Sequence, residues 1–195
     1  MTHQPDSSVD PADIAAMEAQ LGRLPRGVVD IAHRCPCGCP DVVRTLPRLP
    51  GGTPFPTTFY ATCPKLTGAI STLEARGMMR QMTQDLADDP VLAAGYQAAH
   101  EDYLRRRADL GQVAEIDGIS AGGMPDRVKC LHVLVAHSLA VGPGVNPLGD
   151  RALEALPQWW LGGCCSGAEG ADAGDADTTD RNDAADHNGT TDQQV

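Results

Sequence analysis

The chain has 195 residues, 42% of them hydrophobic and 4% aromatic, with a net charge of −11. The length fits one domain, whose core must be filled by Leu, Val, Ile, Met and Ala because aromatics are scarce. No run of ~18 apolar residues is present to span a membrane, and the acidic balance leaves no gross attraction for nucleic acid or anionic lipid.

The charge is unevenly placed. From Ser166 onward eight acidic residues face one basic residue, Arg181, a balance of −7 that leaves −4 for the rest of the chain. The N-terminus, Met1-Thr2-His3-Gln4-Pro5-Asp6, lacks the basic-then-apolar pattern of a secretory signal, so the expected compartment is the cytoplasm. In such a compartment seven cysteines read first as thiols, metal ligands or catalytic groups, and only then as disulfides.

Asp10-Pro11 opens a helix as N-cap and first helical residue, Ile14, Met17 and Leu21 follow at helical spacing, and Gly22 closes it. Residues 28–33 and 41–46 read as two strands around the Pro/Gly-rich turn Cys35-Pro36-Cys37-Gly38-Cys39-Pro40, which suggests a hairpin. A proline-rich loop follows, and residues 57–62 form a third strand candidate. Helices then take over. One starts at Cys63-Pro64 and stops at Gly77, a second carries Met78, Met79, Met82 and Leu86, and a third is capped by Asp89-Pro90 and reaches Leu110. A glycine-rich loop at 118–123 precedes the most apolar helix, expected over 125–140, and a last helix is expected over 150–156. From Gly162 onward apolar periodicity disappears, so that segment buries too little surface to offset ordering entropy. The expected organisation is a disordered N-terminus over 1–9, one domain over 10–161 and a disordered acidic tail over 162–195. The fold class is α+β, mostly helical, with a small antiparallel β-hairpin or meander near the N-terminus.

Several of these segments are distinctive as motifs: Arg34-Cys35-Pro36-Cys37-Gly38, Gly52-Thr53-Pro54-Phe55-Pro56-Thr57, Thr62-Cys63-Pro64, the run 120–138 that opens Ser120-Ala121-Gly122-Gly123-Met124-Pro125, and Gly142-Pro143-Gly144-Val145-Asn146-Pro147-Leu148-Gly149-Asp150. Together they resemble the bacterial DUF501 family over roughly residues 20 to 165. The resemblance brings no established activity with it. Cys39 and the length of the acidic tail depart from the family pattern.

Cys35 and Cys37 sit on one tight turn that aims two thiolates at a point, as metal knuckles do, although the usual zinc spacing is two to four residues. On spacing alone Cys39 is the better partner for Cys35. Cys63 ends the strand expected beside this hairpin, Cys130 begins a buried helix, and Cys164 or Cys165 follows the Trp159-Trp160 pair. The expected ligand set is Cys35, Cys37, Cys63 and Cys130, holding zinc or an iron–sulfur cluster, with Cys39 left out. The competing reading is buried, inert thiols. This metal-binding reading implies an interaction or regulatory role with an unknown protein partner.

The alternative is an enzyme acting on a phosphorylated or carboxylated small molecule. Gly122 and Gly123 let the backbone approach an anion, the helix start supplies N–H groups, and Arg127 and Lys129 add charge. His132 or His137 would serve as acid or base and Cys130 as nucleophile. On a helix starting at 125, Cys130 and His137 share a face ~10 Å apart while His132 points elsewhere, so the three make no ready metal triad. The competing readings are a turn that needs positive φ for the loop and satisfied core hydrogen bonds for the histidines.

Overall fold

The computed structural model describes residues 9–166. Helix α1 (Pro11–Leu21) starts where Asp10 accepts the Ala12 N–H at 2.8 Å and ends on Gly22 in the left-handed region at φ 67°. Strands β1 (Val28–Arg34), β2 (Pro40–Thr45) and β3 (Phe59–Ala61) form one antiparallel sheet in the order β1-β2-β3. The β1–β2 turn closes with the Cys35 N–H on the Cys39 carbonyl at 3.0 Å and the Gly38 N–H on the Cys35 carbonyl at 2.8 Å. Helices α2 (Pro64–Ala75), α3 (Met78–Asp88) and α4 (Pro90–Ala108) follow, then a 3₁₀ turn (Ala114–Ile116), α5 (Leu131–Val141) and α6 (Pro147–Ala155). The domain is α+β and mostly helical, with its small sheet near the N-terminus. Among the described residues no helix is long and apolar enough to cross a membrane.

Helix α5 is the axis of the core. It buries Leu131, Val133, Leu134, Val135, Ala136, His137 and Ser138, and it packs against α6, β3 and α2. Each fully buried Leu or Val contributes roughly 1.5–3 kcal/mol relative to exposure, so one helix apolar nearly all round can organise the rest. Gly149 lets α6 approach this axis, because a Cβ there would stand 2.3 Å from the Leu134 carbonyl oxygen. A smaller cluster of Val9, Met17 and Val43 lies on the other face of the sheet.

Two helix starts differ from the sequence expectation. Helix α5 begins at Leu131, not at Pro125. The amides that would have opened it are spent elsewhere: Arg127 N–H on the Gly123 carbonyl, Lys129 N–H on the Gly122 carbonyl, and Val128 N–H on Thr83 Oγ1. Helix α6 begins at Pro147, three residues early, because Asn146 Oδ1 accepts the Gly149 N–H at 3.0 Å and Pro147 supplies the first helical φ. The segments expected to be disordered lie mostly outside the described residues, at 1–8 and 167–195. Val9, however, is buried, and so is Cys165.

Candidate metal centre

The β1–β2 turn presents Cys35, Cys37 and Cys39 at alternate positions. Arg34 braces it, donating to both carboxylate oxygens of Asp13 on α1 at 2.7 Å and to the Gly38 carbonyl at 3.2 Å. The chain returns to this turn from the far end. Beyond α6, Trp159 and Trp160 pack edge to face at 4.8 Å. Lys65 Nζ then donates to the carbonyls of Gly162 and Gly163 at 3.0 and 2.7 Å, which sets Cys164 and Cys165 onto the hairpin turn.

The result is a cluster of thiols. Cys37 Sγ lies 3.5 Å from Cys165 Sγ, and Cys39 Sγ lies 2.9 Å from Cys164 Sγ. Sulfurs of Cys35, Cys37 and Cys165 fall within 4.8 Å of one another, as do those of Cys37, Cys39 and Cys164. Cys63, fully buried as the N-cap of α2, is near enough to Cys165 to push that thiol further up. Gln20 on α1 donates to Cys165 Sγ at 3.2 Å. All seven cysteines carry free thiols.

The electrostatics of the cluster are graded. Burial pushes the Cys35 thiol up to about 11 and raises Cys165 and Cys39. Burial also opposes ionisation of Cys37, yet the Cys165 and Cys39 backbone amides directed at its sulfur bring it down to about 6. Cys164 is lowered chiefly by its contact with Cys39. The lowered Cys37 thiol thus lies among raised ones, Cys35, Cys39 and Cys165, an arrangement that a soft cation would stabilise by letting those neighbours ionise as well.

Of the four expected ligands, the structure groups Cys35 and Cys37 with Cys165, and Cys63 neighbours Cys165 alone. Cys130 is elsewhere: its sulfur groups with Glu74 and His132. On a continuous helix Cys130 and His132 would face different sides, but Cys130 precedes the helix in an extended conformation, φ −156°, so helical spacing does not apply to it. Burial works against ionisation there, yet His132 and the Val133 N–H hold the Cys130 thiol below its ordinary value, while that contact raises His132. Cys164 and Cys165, which follow the Trp159-Trp160 pair, are not in the ligand set expected from the sequence. The signal that they belong to the fold was the Cys-Cys doublet itself, which solvated segments have no use for.

His137 is a core residue. It is fully buried, and it stacks on Phe59 at 5.5 Å and meets Tyr103 edge-on at 5.2 Å. Asn146 Oδ1 is committed to the Gly149 N–H, so its amide nitrogen donates to His137 Nδ1 at 3.3 Å. That leaves the proton on Nε2, which donates to Asp102 at 2.9 Å. Burial pushes His137 below its ordinary value despite the Asp102 carboxylate.

The glycine loop assembles no helix-start anion cradle. Arg127 and Lys129 are exposed, and their N–H groups are already bonded. The first amide of α5 is capped by Glu74, whose Oε1 accepts the Leu131 N–H at 2.7 Å, so a carboxylate already occupies the positive end of the helix. Gly122 and Gly123 adopt φ 74° and 95°, and a Cβ on Gly123 would stand 2.7 Å from the Arg127 carbonyl oxygen. Both are glycine because the chain folds back on itself there.

Over residues 31–154 the sequence matches the family described as a protein of unknown function, DUF501. The match spans Cys35, Cys37, Cys63 and Cys130 and stops short of Cys164 and Cys165. No curated protein and no solved structure matches the chain.

Proposed function

The chain belongs to the DUF501 family, which carries no assigned activity, and on the geometry of its thiols we propose that it is a metal-binding protein whose Cys35, Cys37, Cys63 and Cys165 hold one structural zinc. The observation that carries this reading is convergence: thiols from the β1–β2 turn and the C-terminal segment meet although Cys37 and Cys165 stand 128 positions apart, and Cys63 at the start of α2 neighbours Cys165. Four sulfurs at about 2.3 Å from a tetrahedral zinc lie about 3.8 Å from one another. The 3.5 Å between Cys37 and Cys165 is close to that edge. The 2.9 Å between Cys39 and Cys164 is well short of it, which marks those two as a neighbouring dithiol pair.

Such an ion clamps the C-terminal segment to the hairpin and to α2, so the acidic stretch that follows leaves the domain from a fixed point. This supports an interaction or regulatory role, with the acidic stretch presented to a protein partner. An iron–sulfur cluster would use the same soft donors. Elemental analysis and the visible spectrum of the purified full chain test the reading. The expected result is a colourless protein whose zinc content falls by one equivalent in Cys37→Ser and in Cys165→Ser and is kept in Cys39→Ser. Brown protein containing iron replaces zinc with a cluster, and metal content unaltered by Cys37→Ser and Cys165→Ser sinks the site.

A further inference from the structure

A second group of metal-ligating side chains lies apart from the thiol cluster. Cys130 and His132 come from the start of α5, and Glu74 from the last turn of α2. One ligating atom from each falls within 4.8 Å of the other two. The group is sheltered: the His132 and Glu74 side chains are 29% and 22% exposed. Cys130 and His132 also line a cavity of about 520 Å³, walled by Thr57, Tyr60, Thr62 and Thr67.

The hydrogen bonds around His132 set its donor face. Nε2 lies 3.2 Å from the Thr67 backbone carbonyl, which only accepts, so Nε2 carries the proton. In the neutral ring Nδ1 then turns its lone pair toward Glu74 Oε1, 3.3 Å away. That oxygen already accepts the Leu131 N–H. The 3.3 Å spacing is also what two ligand atoms about 2.0–2.1 Å from one tetrahedral zinc would show. An imidazole whose far N–H is anchored on a backbone carbonyl is the usual support for a metal-ligating histidine.

We propose that Cys130 Sγ, His132 Nδ1 and a Glu74 carboxylate oxygen form a three-ligand site for a divalent zinc-type ion whose fourth position opens into this cavity. Three protein ligands of mixed S, N and O character with one position left open is the pattern of catalytic rather than structural zinc. The ligand at the fourth position is water or the oxygen donor of a small polar molecule, received among the threonine hydroxyls of the cavity. The site is independent of the four-thiol centre and shares no residue with it.

Cobalt separates the two centres, because one thiolate and four thiolates give charge-transfer bands of different intensity. Metal-free protein carrying Cys165→Ser is titrated with Co²⁺. One equivalent is expected to bind with a weak sulfur-to-cobalt band. Adding Cys130→Ser should abolish that band, and adding His132→Ala or Glu74→Gln should weaken binding by more than about tenfold. Glu74→Gln keeps an oxygen for the Leu131 N–H, so its effect is not loss of the helix cap. Zinc content in the otherwise wild-type chain gives a second readout that does not need Cys165→Ser to fold, with Cys130→Ser expected to lose one equivalent and keep the other. If Cys130→Ser and His132→Ala leave both cobalt binding and zinc content unchanged, the site does not exist. Failure of the four-thiol centre reads out separately, as Cys165→Ser protein with undiminished zinc.

Discussion

The sulfur of Cys39 stands 2.9 Å from that of Cys164, 125 positions later in the chain. Two thiols this close need little movement to join. Diamide, a two-electron oxidant, takes one hydrogen from each and closes a bond between them. The expected product has lost two hydrogens, and peptide mapping should find Cys39 linked to Cys164, with zinc retained because zinc-bound thiolates are shielded. Either single serine substitution at these positions should abolish the link. A Cys35–Cys37 link in its place would show that the two sulfurs do not meet in solution.

The return of the chain to the hairpin is tested by two stop positions. A chain ending at Ser166 loses the eight acidic residues but keeps both cysteines of the doublet, and its zinc content and melting temperature should match the full chain. A chain ending at Gly163 loses Cys164 and Cys165. It should lose the zinc of the four-thiol centre and melt roughly 10 °C lower, since metal binding is folding free energy and each kcal/mol moves a domain of this size by about 2–4 °C. Equal melting temperatures for the two chains would mean that the doublet contributes nothing to the fold.

Gly149 and Gly68 are both helical, and alanine should act on them with opposite sign. At Gly149 a Cβ meets the Leu134 carbonyl and the Ser138 hydroxyl at 2.3 Å, so α6 must back away from α5. That overpacking should cost about 1–3 kcal/mol or more. At Gly68, on the exposed side of α2, nothing lies within 4 Å, and alanine should stabilise by about 0.5–1 kcal/mol through backbone entropy. Urea midpoints measure both. A neutral Gly149→Ala would refute the close contact between α5 and α6.

The buried His137 makes stability depend on pH in one direction. Its folded value is pushed down by burial, below the unfolded value of about 6.5. The unfolded chain therefore holds more protons once the pH drops toward and below 6.5. The contribution is fully present above the unfolded value and is lost as the pH falls through the folded one. His137→Gln should be less stable at pH 7 and should show a shallower loss of stability between pH 7 and pH 5. His100, lowered mainly by burial, acts the same way in both proteins and cancels in the comparison. Parallel profiles would remove His137 as a source of the acid sensitivity.

What the sequence by itself determined is local. Asp10-Pro11, Cys63-Pro64 and Asp89-Pro90 start helices because a side-chain acceptor and a fixed φ act within three residues of each other. Gly22 ends α1 for an equally local reason, and alternation around a Pro/Gly turn was enough to place the β1–β2 hairpin with its three thiols. What only the tertiary structure decided depends on partners far along the chain. Helix α5 starts six residues late because Thr83 and two backward-facing glycine carbonyls take the amides of residues 127–129. Cys130 joins His132 because its backbone is extended, which helical periodicity cannot reveal. Cys165 comes to lie beside Cys37 because Lys65, about a hundred residues earlier, pins the Gly162 and Gly163 carbonyls. A periodic pattern reports which face of a segment is buried; it carries no record of which distant hydrogen-bond donor holds that segment in place.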